Sequence, residues 1–179
     1  MFRRIAATVI LSVLALAGNA AAQTVDLTST ANRVWWNGVT PQELQELATE
    51  AGATFSDLPD EADIVVSQIT FPGLAFPVTF RQGDCLPLER PLATRNCGAM
   101  VMMITDIEAP SDVELYRSVE SAWLTTSFTD GVGTMHRYEI FKYGTTRGYV
   151  LAAMLLFRGD AIANLDLMDE IDAEYEDGW

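Results

Sequence analysis

Apolar residues recur at helical spacing in the first regular stretch of the chain. A capping box at Thr40–Glu43 places proline at the first helical position and marks a helix start. The sequence therefore predicts a helix over Pro41–Ala51, which Gly52 ends. The apolar stripe of this helix consists of Leu44, Leu47 and Ala48.

Two further helices are indicated downstream. The second begins at a capping signature, Ser111–Glu114, and is predicted to reach about Thr126. The third has Asp160 as its cap and one apolar face on an otherwise acidic helix. The apolar stripes consist of Leu115, Val119, Ala122 and Trp123 in the second helix, and of Ile162, Leu165, Met168, Ile171 and Tyr175 in the third.

Between the first two helices the period of the pattern changes to two. Apolar and other residues alternate along Leu74–Arg81, which predicts a half-buried strand, and Pro77 favours an edge or a bulge there. Ile64–Phe71 is predicted to be its partner, with Pro72-Gly73 as the turn. These two segments form a predicted hairpin.

Two other segments, Met100–Ile104 and Tyr149–Phe157, are apolar on both faces and are predicted to be central strands covered from two sides. Tyr138–Tyr143 is predicted to pair with the latter through the connection Gly144–Gly148. The order of elements is then α-β-β-β-α-β-β-α. The expected fold class is α+β, with an antiparallel sheet of about five strands and helices packed against it.

Ahead of this pattern, Met1–Ala22 has the features of a cleavable secretory signal peptide. Arg3 and Arg4 precede an apolar run, Ile5–Ala17, and small residues at Ala20–Ala22 offer a cleavage site. The run is shorter than the roughly 20 apolar residues of a membrane-spanning helix. We therefore expect cleavage, no stable membrane anchor afterwards, and a periplasmic or secreted protein.

The rest of the chain is predicted to form a single α+β domain, 39–179, preceded by a polar N-terminal leader, 23–38. The sequence contains 25 acidic and 11 basic residues, which give a formal net charge of -14. Such a charge repels phosphate backbones and anionic lipid surfaces. It argues against nucleic acid as a partner.

Cys85 and Cys97 are the cysteines of this chain. An even pair in an exported protein is typical of a disulfide, and the two residues bracket one connection between strand-like segments. A C-x-x-C motif is absent, and the single histidine, His136, lies far along the chain. The pattern favours a structural disulfide over a redox or metal site.

The element order, the exported start, the cysteine pair between the second and third strands and the acidic final helix together resemble exported members of the YbjN-like family. The resemblance covers Pro41–Gly178, and the matching residues are Trp123, Phe128, Arg137 and Tyr138. Ser121 and Leu124 stand where that family commonly has asparagine. The resemblance implies a fold similar to that of type III secretion chaperones, which hold protein partners, and a regulatory function.

The residues themselves indicate no catalytic group, metal ligand or cofactor. His136 is the one imidazole, and no serine lies in a G-x-S-x-G motif. The acidic C-terminal segment lacks the spacing of an EF-hand calcium loop. Strand geometry separates Met103 from Met100 and Met102, which favours packing over copper binding. Paired carboxylates for glycoside hydrolysis remain open, because only geometry chooses among many acidic residues.

Aromatic residues that prove to be exposed, and do not fold back onto the sheet, are the candidates for a binding site. Trp35 and Trp36 precede the first helix, and Trp123 ends the apolar stripe of the second. The functional hypothesis is an exported, non-enzymatic module of YbjN type that binds a protein partner or a second copy of itself. The alternatives are a hydrolase acting on envelope material and a secreted domain that binds a small ligand.

Overall fold

A computed structural model of the protein describes residues 26–58, 64–119 and 124–177. The predicted signal peptide, Met1–Ala22, lies outside these residues, as do Trp123 and Trp179. Within the described ranges, no helix is both long enough and apolar enough to cross a membrane.

The helices are α1 (Pro41–Glu50), α2 (Val113–Val119) and α3 (Arg147–Asp177). The predicted capping box of α1 is confirmed. The backbone N–H of Glu43 donates to the Thr40 hydroxyl oxygen at 3.0 Å, and the Thr40 N–H donates to Glu43 Oε2 at 2.8 Å. Because both ends of this box are satisfied, α1 begins where the sequence predicts.

The strands fall into one large sheet and two small ones. In chain order they are β1 (Trp35–Trp36), β2 (Thr54–Asp57), β3 (Ile64–Phe71), β4 (Leu74–Arg81), β5 (Cys85–Leu86), β6 (Asn96–Cys97), β7 (Ala99–Glu108), β8 (Thr125–Thr129), β9 (Val132–Ile140) and β10 (Thr145–Thr146). The large sheet has six antiparallel strands in the order β2-β3-β4-β7-β9-β8. The small sheets pair β1 with β10 and β5 with β6. The α+β class with an antiparallel sheet is confirmed.

The prediction of a strand at Tyr149–Phe157 is wrong, because this segment is the first part of α3. A short apolar run has the same composition in a buried strand and in a buried helix, so periodicity alone does not separate them. The surroundings favour the helix. The Thr146 hydroxyl accepts the N–H of Tyr149 at 3.2 Å, as an N-cap does, and Asp160, the predicted cap, lies in the middle of α3.

The strand that follows α2 and pairs with β9 was not predicted. The second helix was expected to reach Thr126, but Thr125–Thr129 forms β8. A two-residue turn, Asp130-Gly131, joins β8 to β9, and both turn residues have positive φ (53° and 80°). Asp-Gly is a preferred sequence for such a turn, and threonine and phenylalanine favour extended backbone. Tyr138–Tyr143 therefore pairs with no strand at Tyr149–Phe157.

The helices pack on one face of the large sheet, which we call the inner face. The Phe157 ring of α3 meets the Phe76 ring of β4 edge to face, with 4.9 Å between ring centroids. Tyr116 of α2 packs on Phe128 of β8 in the same way at 5.5 Å. The Tyr116 hydroxyl also donates to Asn164 Oδ1 on α3 at 2.8 Å. These contacts hold α2, α3 and the sheet in one core.

The two cysteines lie opposite each other in the β5–β6 pair. Their sulfur atoms are 2.10 Å apart, at disulfide-bonding distance, and both residues are fully buried in the core. Next to them, the N–H of Cys97 donates to the Val39 oxygen at 2.9 Å. The cysteine pair thus ties the connection between β4 and β7 to the segment that leads into α1.

Candidate functional site

The side of the large sheet opposite the helices is the outer face. Residues directly opposite each other on antiparallel strands share a face. The register therefore places Thr79, Val101 and Tyr138 in one row, and Met103 and His136 in the next. The apolar side chains of the outer face are Ile64, Val66, Pro77, Val101, Met103, Val132, Tyr138 and Ile140.

Solvent reaches these side chains. Tyr138 is 54% exposed and Ile140 59%, while Val101 and Met103 in the central strand are only partly buried. The prediction that Met100–Ile104 is covered from two sides is therefore wrong. The helices cover Met100 and Met102 on the inner face, and the apolar side chains of the outer face stay accessible.

The outer face differs in charge from the rest of the molecule. Among the described residues, its ionisable groups other than Tyr138 are Arg81, His136, Asp106 and Glu108. Both carboxylates lie toward one end of β7, Asp106 in the bulge and Glu108 opposite Val132. Among the side chains of α3 that are described, the exposed carboxylates are Asp166, Asp169, Glu170 and Glu174. The centre of the outer face can thus be desolvated without burying a carboxylate, which would be costly.

A buried ionic cluster lies on the inner face. Arg137 Nε donates to Glu139 Oε1, and both side chains are largely buried. The Tyr149 hydroxyl at the start of α3 donates to Glu139 Oε2 at 2.8 Å. Both carboxylate oxygens of Glu139 are therefore engaged. This arrangement fastens α3 to β9.

The cluster shifts the pKa of three groups. The hydrogen bond to Glu139, aided by burial, raises the pKa of Tyr149. Burial works against the charge of Arg137, but its pKa is raised overall because of Glu139. Burial also raises the pKa of Asp160, although the charge of Arg137 opposes this. The shifts follow from packing α3 onto polar side chains of the sheet.

Replacing Tyr149 with phenylalanine is expected to flatten the fall in stability at high pH. The raised pKa means that the folded state holds the phenol proton more tightly than the unfolded chain, so this contribution is fully present below pH 10.0. It is lost as the pH rises through the folded-state pKa. Urea unfolding on both sides of pH 10.0 should show a smaller loss for Tyr149→Phe than for the wild type.

Tyr143, which is 86% exposed, supplies the matched control, Tyr143→Phe. This variant should keep the pH dependence of the wild type. Equal losses of unfolding free energy in Tyr149→Phe and the wild type would contradict a stabilising hydrogen bond from Tyr149 to Glu139.

The tryptophans proposed as a binding site do not form one exposed group. Trp35 and Trp36 lie in β1, opposite Thr146 and Thr145 of β10. Trp35 is 63% exposed, whereas Trp36 packs against the core. Trp123 lies outside the described residues. Among the described candidates, Trp35 is therefore the exposed one.

Trp35 is held in place by a close backbone approach. Its ring lies over Gly144, and a Cβ atom at that position would come within 2.6 Å of Trp35 Cε2. Gly144 also has a φ of +90°, which favours glycine. The turn before β10 thus needs glycine for two reasons. Its backbone has a positive φ, and the indole of Trp35 occupies the space of a Cβ atom.

The leader is anchored to the start of α3. Asn32 is buried and accepts a hydrogen bond from Arg147 Nη1 at 2.5 Å. The backbone N–H of Arg147 donates to the Val34 oxygen at 3.0 Å, and its guanidinium also pairs with Glu50 of α1. These contacts fix β1 and hence the position of Trp35.

The residues considered for catalysis or metal binding are separated in the fold. His136 is partly exposed on the outer face, between Met103 and Thr125 on the neighbouring strands. Met100 and Met102 lie in the core, and Met103 points to the outer face, as strand geometry predicts. In the described part of the chain, no three His, Cys, Asp or Glu side chains are grouped as a metal site.

Sequence reasoning missed the outer face as a candidate site. The signal was present, since Met100–Ile104 is apolar at every position. A strand that is apolar on both sides predicts burial of both faces. When helices cover only one side of such a strand, its other side is an exposed apolar surface on which a partner can dock.

Comparisons with known proteins add no further assignment. No family model, curated protein or solved structure matches this chain. The candidate site is therefore defined by the geometry of the outer face.

Proposed function

We propose that the protein is a non-enzymatic, extracytoplasmic module of YbjN type that binds a protein partner through the outer face of its sheet. The observation that carries this proposal is the exposed apolar surface around Val101, Met103, Tyr138 and Ile140. Exposed apolar patches on soluble domains commonly mark interaction sites. The absence of a carboxylate from the described centre of this face lowers the cost of covering it.

The chemistry of the outer face suits a protein surface. Tyr138 offers an apolar ring with a hydroxyl, which is a frequent anchor in protein interfaces. The threonines between the apolar side chains, Thr79 and Thr134 among them, supply hydrogen-bonding groups around the patch. A partner with an apolar centre and a polar rim would complement this arrangement.

An extracytoplasmic location is supported by two features. The N-terminal sequence has the pattern of a cleavable signal peptide, and the Cys85–Cys97 pair lies at disulfide-bonding distance. Disulfides persist in the periplasm and outside the cell, where the medium is oxidising. The partner is therefore expected in the same compartment.

The test is capture of envelope proteins from the native host by the mature chain. We expect Tyr138→Ser combined with Ile140→Ser to weaken capture about thirtyfold, because an anchor residue contributes 2 kcal/mol or more to binding. The matched control is Tyr143→Ser, which alters a more exposed tyrosine outside the strands of the sheet. Circular dichroism should show that both variants remain folded.

The hydrolase alternative predicts that function depends on His136 and not on Tyr138 and Ile140. If the outer face binds a partner through its apolar surface, a folded His136→Ala variant should still capture most of that partner. Loss of function in His136→Ala, with no change in the Tyr138→Ser and Ile140→Ser variant, would contradict the binding role.

A further inference from the structure

Strand β8 presents unpaired backbone groups at one edge of the large sheet. The two-residue turn at Asp130-Gly131 makes Thr129 and Val132 a hydrogen-bonded pair, and such pairs alternate along an antiparallel ladder. Thr126 and Phe128 therefore direct their N–H and C=O groups away from β9. Neither residue has a backbone hydrogen-bond partner beyond the sheet in the part of the chain that is described.

Within the described residues, this edge lacks three features that commonly protect an exposed strand, namely charge, proline and a bulge. Thr125–Thr129 contains no charged residue and no proline, and its pairing with β9 runs without a bulge. The opposite edge, β2, differs because it ends in the charged residue Asp57. An unprotected edge strand is a template for adding another strand.

We propose that a second copy of this chain adds its own β8 to this edge, antiparallel, about a two-fold axis at Ser127. In this register Thr126 lies opposite Phe128 of the second copy, and the reverse pair is equivalent by symmetry. Each of these pairs exchanges both of its backbone hydrogen bonds. The two large sheets then form one continuous sheet.

Three observations favour a second copy as the occupant. The register satisfies every outward backbone group of β8 at Thr126 and Phe128, so the strand is complementary to itself. The strand carries no charge, and two chains with a net charge of -14 each can meet there without apposing charged side chains of β8. In addition, α2, which packs over β8 through Tyr116, exposes the apolar side chain of Leu115.

The register makes Ser127 the diagnostic position. Its exposed side chain would face Ser127 of the second copy in the closely spaced, non-hydrogen-bonded pair on the axis. In Ser127→Asp, two carboxylates would oppose each other, and in Ser127→Lys two ammonium groups. Each variant alone should raise the dimer dissociation constant roughly fivefold or more in sedimentation equilibrium.

An equimolar mixture of Ser127→Asp and Ser127→Lys should recover the dimer, because opposite charges then meet at the axis. The control is Ser56→Asp, an equally exposed serine of the other edge strand, which should dimerise like the wild type. Amide hydrogen exchange supplies a second measurement. The N–H groups of Thr126 and Phe128 should gain protection with rising protein concentration, while that of Ser127 is protected throughout.

Two outcomes would overturn the proposal. One is a wild-type chain that stays monomeric, with Thr126 and Phe128 amides unprotected, at every concentration measured. The other is a dimer that neither Ser127→Asp nor Ser127→Lys weakens. The patch around Tyr138 and Ile140 lies on β9 beyond the segment that pairs with β8, so these outcomes are distinguishable from a failure of the partner-binding proposal: Tyr138→Ser with Ile140→Ser should leave dimerisation unchanged.

Discussion

Replacing Phe157 with alanine is expected to lower the free energy of unfolding by about 3–5 kcal/mol. Phe157 is fully buried on α3, where its ring meets Phe76 of β4 edge to face at 4.9 Å. Phe76 in turn stacks on Phe71 of β3, with 6.1 Å between centroids. The substitution removes a ring from the contact between helix and sheet and leaves a cavity in the core.

Urea unfolding followed by circular dichroism measures this loss. The neighbouring Leu156 is 46% exposed on the same helix, and Leu156→Ala is therefore expected to change stability by less than about 1 kcal/mol. The pair tests the assignment of Tyr149–Phe157 to α3. Similar losses for both variants would indicate a strand buried on both sides, as the sequence pattern had predicted.

Removing the cysteine pair is expected to lower the free energy of unfolding by about 3 kcal/mol. Cys85 and Cys97 are 12 residues apart in sequence, and a cross-link over a loop of this length restricts the unfolded chain by about that amount in the chain-entropy account. Both side chains are also buried in the core. The double variant Cys85→Ala with Cys97→Ala should show the loss in urea unfolding.

Reduction of the wild-type protein separates the cross-link from the packing of the sulfur atoms. If the reduced wild type has the same free energy of unfolding as the double variant, the loss is due to the disulfide bond and not to the packing of the sulfur atoms. Thiol titration of the unfolded, unreduced protein should find no free thiol. Two free thiols in protein taken from the native host would contradict both the disulfide and the oxidising compartment.

Local signals in the sequence determined a large share of the fold. The capping box at Thr40–Glu43 and the alternation along Leu74–Arg81 need only nearby residues, and both α1 and the β3–β4 hairpin form where they were predicted. The pairing of Cys85 with Cys97 likewise follows from their being the two cysteines of the chain. Such features are decided by neighbours in sequence, which is why they can be predicted from it.

Tertiary contacts decided the second half of the chain. Tyr149–Phe157 is apolar enough for either a strand or a helix, and it is helical because Val150, Leu151, Met154 and Phe157 turn one side toward the sheet. The run Thr125–Thr129 could continue α2 only by giving up the hairpin that Asp130-Gly131 makes with β9. For Tyr149–Phe157 the deciding energy comes from residues distant in sequence, such as Phe76, whereas Thr125–Thr129 is decided by a hairpin with the neighbouring segment.

The candidate binding surfaces depend on the tertiary structure most of all. The sequence alone determined that the chain is acidic, that its N-terminus has an export signal pattern and that it folds in the α+β class. It did not determine which side of the sheet the helices would cover. Only the register and the packing of α3 leave Val101, Met103, Tyr138 and Ile140 on an accessible face, because exposure is a property of the assembled layers and not of any one strand.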